Sequence, residues 1–159
     1  TFTHSGITCT ADTVSFDFQV DCIDNSNLDL FGGTGCISYE LASRGATQLT
    51  LIEKDRKMAD FIKKNLNDFK IENARVTMMD VFSYMKSCKQ TYDFIFAGPP
   101  YALSTIDELP QVLFDNNLLN EDGVFVLEHT PRNNYEQHPN FFKVKNYGHT
   151  IFSFFENKA

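Results

Sequence analysis

The sequence predicts an α/β protein: a mostly parallel central sheet with helices on both faces, closed by a C-terminal antiparallel hairpin. Three observations predict it. Strand-like and helix-like segments alternate through the middle of the chain. The first of these strands runs into a glycine-rich turn, Phe31-Gly32-Gly33-Thr34-Gly35. The chain then closes on two strand-like runs separated by Gly148-His149. Alternation implies a parallel sheet, because right-handed crossovers place the connecting helices on its two faces.

Each element has its own signal. Leu28 to Leu30 is a short apolar strand, and Cys36 to Arg44 a helix-like run behind the glycine turn. Gln48 to Glu53 is the next strand. Residues 56 to 69 place Met58, Phe61, Ile62, Leu66 and Phe69 on one stripe at helical spacing. Arg75 to Met79 is a strand, Val81 to Cys88 a short helix and Tyr92 to Ala97 a strand. Ser104 or Thr105 is positioned to cap a helix reaching about Asn116. Gly123 to Glu128 is the last parallel strand, and Phe141 to Tyr147 with Thr150 to Phe155 form the hairpin. Ahead of all this, Val14, Phe16, Phe18, Val20 and Cys22 alternate with polar residues, a period of two that favours a strand, although Val14, Phe18 and Cys22 also fall at the i, i+4, i+8 spacing a helix uses.

Bulk properties narrow the function classes. A chain of 159 residues with 42% hydrophobic content suits one domain spanning 1–159 with a real core. No long apolar run predicts a membrane span, and the first residues lack the basic start and apolar stretch of a signal peptide. Cys9, Cys22, Cys36 and Cys88 form no C-x-x-C pair, which argues against zinc and for free thiols in a reducing cytoplasm. The net charge of −7 opposes gross attraction to nucleic acid. The charge is uneven, however: no Lys or Arg precedes Arg44, and Lys54, Arg56, Lys57, Lys63, Lys64 and Lys70 then crowd together. They form either a local phosphate-facing patch or a solvated helix face balanced by Asp55, Asp60 and Asp68.

In a parallel sheet, ligands bind at the carboxyl ends of the strands, so residues just past strands carry the chemistry. Asp29 and the run Phe31, Gly32, Gly33, Thr34 and Gly35 come first; such a turn lets backbone approach a ligand closely, or is simply a tight connection. Glu53, followed by Lys54, ends the next strand, where a carboxylate accepts both hydrogens of a ribose diol or stands in solvent. Asp80, followed by Val81 and Phe82, either holds an adenine amino group beneath an apolar pair or caps the short helix. The turn is neither G-x-G-x-x-G nor a P-loop, and three acidic residues would repel a triphosphate. A cationic adenosine compound, S-adenosylmethionine, suits them better. Finally, Gly98-Pro99-Pro100-Tyr101 follows the fourth strand of the alternating series. Its prolines stiffen the loop, the Gly98 and Pro99 carbonyls remain acceptors, and Tyr101 can stack on a planar base or pack into the core.

These segments (DLFGGTG, IEKD, MDVF and FAGPPY) resemble the motifs of class I S-adenosylmethionine-dependent methyltransferases, whose fold is Rossmann-like. More narrowly, residues 28 to 156 are similar to the small-subunit ribosomal RNA (guanine-N2) methyltransferases of the RsmD type, through LASRGA at 41–46, EDGVFVLEH at 121–129 and YGHTIFSF at 147–154. The resemblance implies that Asp29, Gly33 and Gly35 surround the methionine part of the cofactor, Glu53 binds the ribose and Asp80 the adenine, with Phe82 nearby. It also implies that Pro99 and Tyr101 hold a flipped guanine, by carbonyl and by stacking. The implied partner is small-subunit ribosomal RNA or an assembled small subunit. A monomer is the default expectation, with no membrane partner; the cysteine pattern gives the expected cytoplasmic location and the expected absence of metal.

Two positions depart from the family pattern. Asp or Asn normally precedes Pro-Pro-Tyr and accepts a hydrogen from the target amine; here Gly98 stands there. Loss of one preorganised acceptor costs roughly 10²- to 10³-fold in rate by analogy with oxyanion-hole deletions. Residues 1 to 27 also lack the usual basic segment. The resemblance implies a helix over 12–22, where the residue pattern predicts a strand. The alternatives are a binding module with impaired chemistry, or methylation of a DNA base or a protein amide.

Overall fold

The computed structural model describes residues 2–4, 7–9, 26–33, 35–43 and 46–158. The strand-or-helix question over 12–22 and the glycine-turn residue Thr34 lie outside them. A small antiparallel pair, β1 (Phe2–His4) and β2 (Ile7–Cys9), stands first in the chain. The main body runs β3 (Ser26–Leu30), α1 (Cys36–Ser43), β4 (Gln48–Glu53), α2 (Arg56–Asp68), β5 (Ala74–Met78), α3 (Val81–Ser87), β6 (Tyr92–Ala97), α4 (Leu109–Asp115), β7 (Leu119–His129), β8 (Phe141–Tyr147) and β9 (Thr150–Glu156).

Seven strands form one sheet in the order β5-β4-β3-β6-β7-β9-β8. Pairing is parallel from β5 through β7; β9 then runs antiparallel to both β7 and β8. The predicted hairpin is present, with Tyr147 opposite Thr150 and Gly148 at φ 66° in its two-residue turn. Order reverses between β3 and β6, whose last residues Leu30 and Ala97 pair side by side. This is the switch point at which open parallel sheets leave a crevice.

Period-two alternation sorts the sheet residues onto two faces. Leu28, Leu30, Ile95, Ala97, Phe125 and Leu127 pack with Val81, Met85, Leu109 and Leu113 of α3 and α4. Phe94, Phe96, Val126, Phe152 and Phe154 pack with Leu41 of α1, while Leu51 meets Tyr39, Ile62 and Leu66 from α1 and α2. Among the described residues no helix is long and apolar enough to cross a membrane.

Two element readings need correction. The helix before Asn116 has no Ser104 or Thr105 cap: Thr105 makes no side-chain capping bond and leads into a 3₁₀ turn, Ile106–Glu108. The α-helix proper starts at Leu109 because Pro110, with its fixed φ and missing N–H, fits a first turn. The strand read as Gly123 to Glu128 begins earlier, at Leu119. The Glu-Asp-Gly segment is an irregularity inside it, with Asp122 at φ 63°. Asn120 Nδ2 donates to Asp93 Oδ1 at 2.9 Å and Tyr92 N–H to Leu118 O at 2.8 Å, which hold the early part against β6.

Candidate functional site

At the carboxyl ends of β3, β4, β5 and β6 lies a cleft of about 580 Å³, within the ordinary range for small-molecule sites. Its wall takes Phe31 and Gly33 from the turn after β3, Ile52 and Glu53 with Lys54 and Asp55 from the end of β4, Asp80 with Val81 and Phe82 from the start of α3, and Gly98, Pro99 and Pro100 from the loop after β6. Leu103 and Thr105 complete it.

The glycine turn is shaped by backbone demands. Gly32 N–H donates to Ile52 O at 2.8 Å and Gly35 N–H to Gly32 O at 2.7 Å, folding the turn against β4. Gly35 stands at φ 83°, and a Cβ there would meet the Tyr39 ring at 2.5 Å. Phe31 itself takes φ 64°. A bulky residue in the left-handed region stores strain that a tight ligand turn can justify.

Glu53 is tied into the turn: its Oε1 accepts from Gly33 N–H at 3.2 Å and its Oε2 from Asp55 N–H at 3.3 Å. Asp80 caps α3, with Oδ2 accepting from Ser83 N–H at 3.0 Å and Ser83 Oγ at 3.3 Å. Both bonds use the same oxygen, so the helix-cap role and a ligand role are compatible. Asp55 likewise caps α2 by accepting from Met58 N–H at 2.9 Å.

Not every residue singled out from the sequence reaches the cleft wall. Asp29 lies behind the turn, 3% exposed, because its position in β3 faces α1; its Oδ2 accepts from Ser38 Oγ at 3.0 Å. Burial pushes its carboxyl well above the usual range; the Ser38 bond opposes this, and the Glu53 charge adds to the rise. Gly32 and Gly35 shape the turn from behind. Tyr101 stands outside the cleft and is not packed into the core: it is 49% exposed, and its hydroxyl donates to Glu128 Oε2 at 2.7 Å.

Sequence reasoning gave no site role to Ile52 and Asp55, which flank Glu53 and Lys54 within IEKD, or to Leu103 and Thr105, two and four residues beyond Tyr101. It also gave Glu128 no role. Glu128 is level with Gly98 because Ala97 pairs with Leu127. A Cβ on Gly98 would stand 3.0 Å from Phe96 Cε1 and 3.8 Å from Glu128 Oε1.

A smaller cavity of about 190 Å³ borders His129 and Ser153 across the β7-β9 pair. His129 Nδ1 donates to Thr130 O at 2.8 Å, so Nε2 is the acceptor for Ser153 Oγ at 2.7 Å. Burial lowers the His129 pKa and favours this neutral, fully bonded ring. That is a structural arrangement with no free group to offer a substrate.

The chain is similar to known proteins in both sequence and fold. The chain is 32% identical over 106 residues to the ribosomal RNA small subunit methyltransferase D of Escherichia coli, covering 67% of this chain and 54% of that protein. It is 31% identical over 116 residues to the protein of that name in Buchnera aphidicola, covering 68% and 59%. The match thus spans little more than half the length of these relatives. A solved E. coli structure named as a methyltransferase superposes with a TM-score of 0.78 at 27% identity, covering 87% of this chain and 78% of the other. A family model described as "Conserved hypothetical protein 95" matches residues 13–156. The chain belongs to that family, the RsmD-type group of class I methyltransferases.

Proposed function

We propose that the chain is an S-adenosylmethionine-dependent methyltransferase acting on the N2 amine of a guanine in small-subunit ribosomal RNA. The observation that carries this is the meeting, at the sheet's switch point, of the Glu53 and Asp80 carboxylates with the Gly98-Pro99-Pro100 loop around one largely apolar cleft. The donor set fits the cofactor. Carboxylates suit a ribose diol, an adenine amino group and a positive sulfonium, and they repel polyphosphate. Phe31, Val81 and Phe82 supply apolar cover for a purine.

When bound, S-adenosylmethionine supplies an electrophilic methyl group. The protein's part is positioning. Glu53 holds the ribose hydroxyls, and Asp80 accepts from the adenine amine while capping α3. Pro99 and Pro100 stiffen the loop, Leu103 N–H closes it by donating to Pro100 O at 2.9 Å, and the half-exposed Tyr101 ring offers a stacking face to a flipped base. Exposed Lys54, Arg56 and Lys57, where α2 begins at the cleft rim, provide a local basic patch despite the acidic net charge.

The test is calorimetric binding of the cofactor followed by transfer of labelled methyl to undermethylated small subunits, with the product nucleoside identified. N2-methylguanosine is expected. Absence of cofactor binding at millimolar concentration would refute the reading. A second reading, a binding module without chemistry, is favoured by Gly98, which offers no side-chain acceptor. It predicts cofactor binding, salt-sensitive RNA binding and no transfer.

A further inference from the structure

The family's acceptor is missing at position 98, yet an acceptor stands beside it. We propose that Glu128 Oε1 takes over the lost role, accepting a hydrogen bond from the exocyclic amine of the target guanine. This rests on the reading of the chain as a guanine-N2 methyltransferase.

Three facts support it. The β6-β7 register places Glu128 level with Gly98 at the carboxyl ends of adjacent parallel strands. A Cβ built on Gly98 would stand 3.8 Å from Glu128 Oε1, beyond the Phe96 ring at 3.0 Å, so the carboxylate lies within reach of position 98. The carboxylate is already oriented: Tyr101 donates to the other oxygen, Oε2, at 2.7 Å. Burial raises the Tyr101 pKa; the Thr150 hydrogen bond opposes this, and the bond to Glu128 with its charge adds to the rise, so the phenol stays protonated as the donor. One tyrosine thus offers its ring to a base and aims a carboxylate at that base's edge. A side chain at 98 would stand between Phe96 and Glu128; glycine leaves that approach open.

The chemistry balances. The amine nitrogen gains a bond to the methyl carbon as the sulfur–methyl bond breaks, the sulfonium departs as a neutral thioether, and the nitrogen releases one proton. That proton leaves along the hydrogen bond to Glu128 Oε1 and passes to water.

The test compares guanosine 5′-monophosphate with inosine 5′-monophosphate, which lacks the exocyclic amine, by NMR titration in the presence of S-adenosylhomocysteine. The wild type is expected to prefer the guanosine nucleotide by about 10-fold, the scale of a hydrogen bond to a charged group. Glu128→Ala is expected to lose the preference while keeping its affinity for S-adenosylhomocysteine, which certifies the fold. Single-turnover methyl transfer to undermethylated small subunits should fall about 10²-fold in Glu128→Ala and recover in part when Gly98→Asn is added. If the wild type transfers methyl and Glu128→Ala keeps both rate and preference, the Glu128 role is overturned and the functional reading stands. A wild type with neither transfer to a guanine amine nor preference for the guanosine nucleotide overturns both.

Discussion

Gly33 N–H donates to Glu53 Oε1 at 3.2 Å, so one carboxylate joins the glycine turn to the end of the neighbouring strand. Its second oxygen takes Asp55 N–H at 3.3 Å. An ionised carboxylate has about four acceptor directions, so two backbone donors leave room for ribose hydroxyls. Glu53→Gln removes the charge and halves the acceptor capacity. Cofactor affinity should drop by about 10- to 100-fold, the scale of one charge-assisted hydrogen bond. Calorimetric titration beside a melting curve checks this. Unchanged affinity would remove Glu53 from the cofactor site.

The turn glycines should differ in what they tolerate. Gly35→Ala faces both a left-handed φ of 83° and the Tyr39 ring at 2.5 Å. Gly33→Ala faces φ 56° alone, with its nearest obstacle, Phe31 O, at 3.7 Å. The left-handed conformation costs roughly 1–2 kcal/mol for a non-glycine residue, and overpacking adds about 1–3 kcal/mol. Gly35→Ala should therefore lose clearly more stability in urea unfolding than Gly33→Ala. Equal losses would mean that Tyr39 swings away freely.

Burial makes an ionised Asp29 costly to the fold. Its folded-state pKa is raised by burial. A raised carboxyl contributes stability that is fully present below its unfolded value, near 3.8, and is lost as pH rises through the folded value. Asp29→Asn cannot ionise and keeps an acceptor for Ser38. The melting-temperature difference between Asp29→Asn and wild type should thus grow from near zero at about pH 4 toward neutrality. Cofactor affinity should fall in the same variant. A difference independent of pH would show that Asp29 ionises without penalty.

The parallel sheet, its flanking helices and the hairpin were legible because apolar runs mark the strands, and glycine or proline marks the turns after β3 and β6 and the hairpin turn. The strand-end rule also gathered Phe31, Gly33, Glu53, Lys54, Asp80, Val81, Phe82, Gly98, Pro99 and Pro100 onto one cleft wall. Pairing register and face were not legible. Asp29 follows the motif as well as Glu53 does, yet strand alternation turns it toward Ser38 on α1. Glu128 sits in an unremarkable strand, and only the Ala97-Leu127 register brings it beside Gly98. The start of β7 was missed because Asp122-Gly123 reads as a turn, whereas the Asn120-Asp93 bond carries the strand through it.

Position 98 discriminates charge from shape. Any side chain there presses on Phe96 Cε1 at 3.0 Å, so the ring must give by a few tenths of an ångström in both Gly98→Asn and Gly98→Asp. Only the aspartate adds a second carboxylate near Glu128 Oε1, which lies 3.8 Å from the new Cβ. Like charges this close resist ionising together, a penalty of about 1–4 kcal/mol between bulk water and a protein surface. The aspartate's folded pKa is then raised, so stability is present below its unfolded value near 3.9 and lost as pH rises. Gly98→Asp should melt with Gly98→Asn at about pH 4 and below it at pH 8. At pH 8 the asparagine variant should also be the faster methyl-transfer enzyme, since its amide oxygen accepts from the amine without opposing Glu128. Coincident melting at both pH values would place the new carboxylate in solvent, away from Glu128. The aspartate common at this motif position would then be compatible with this chain.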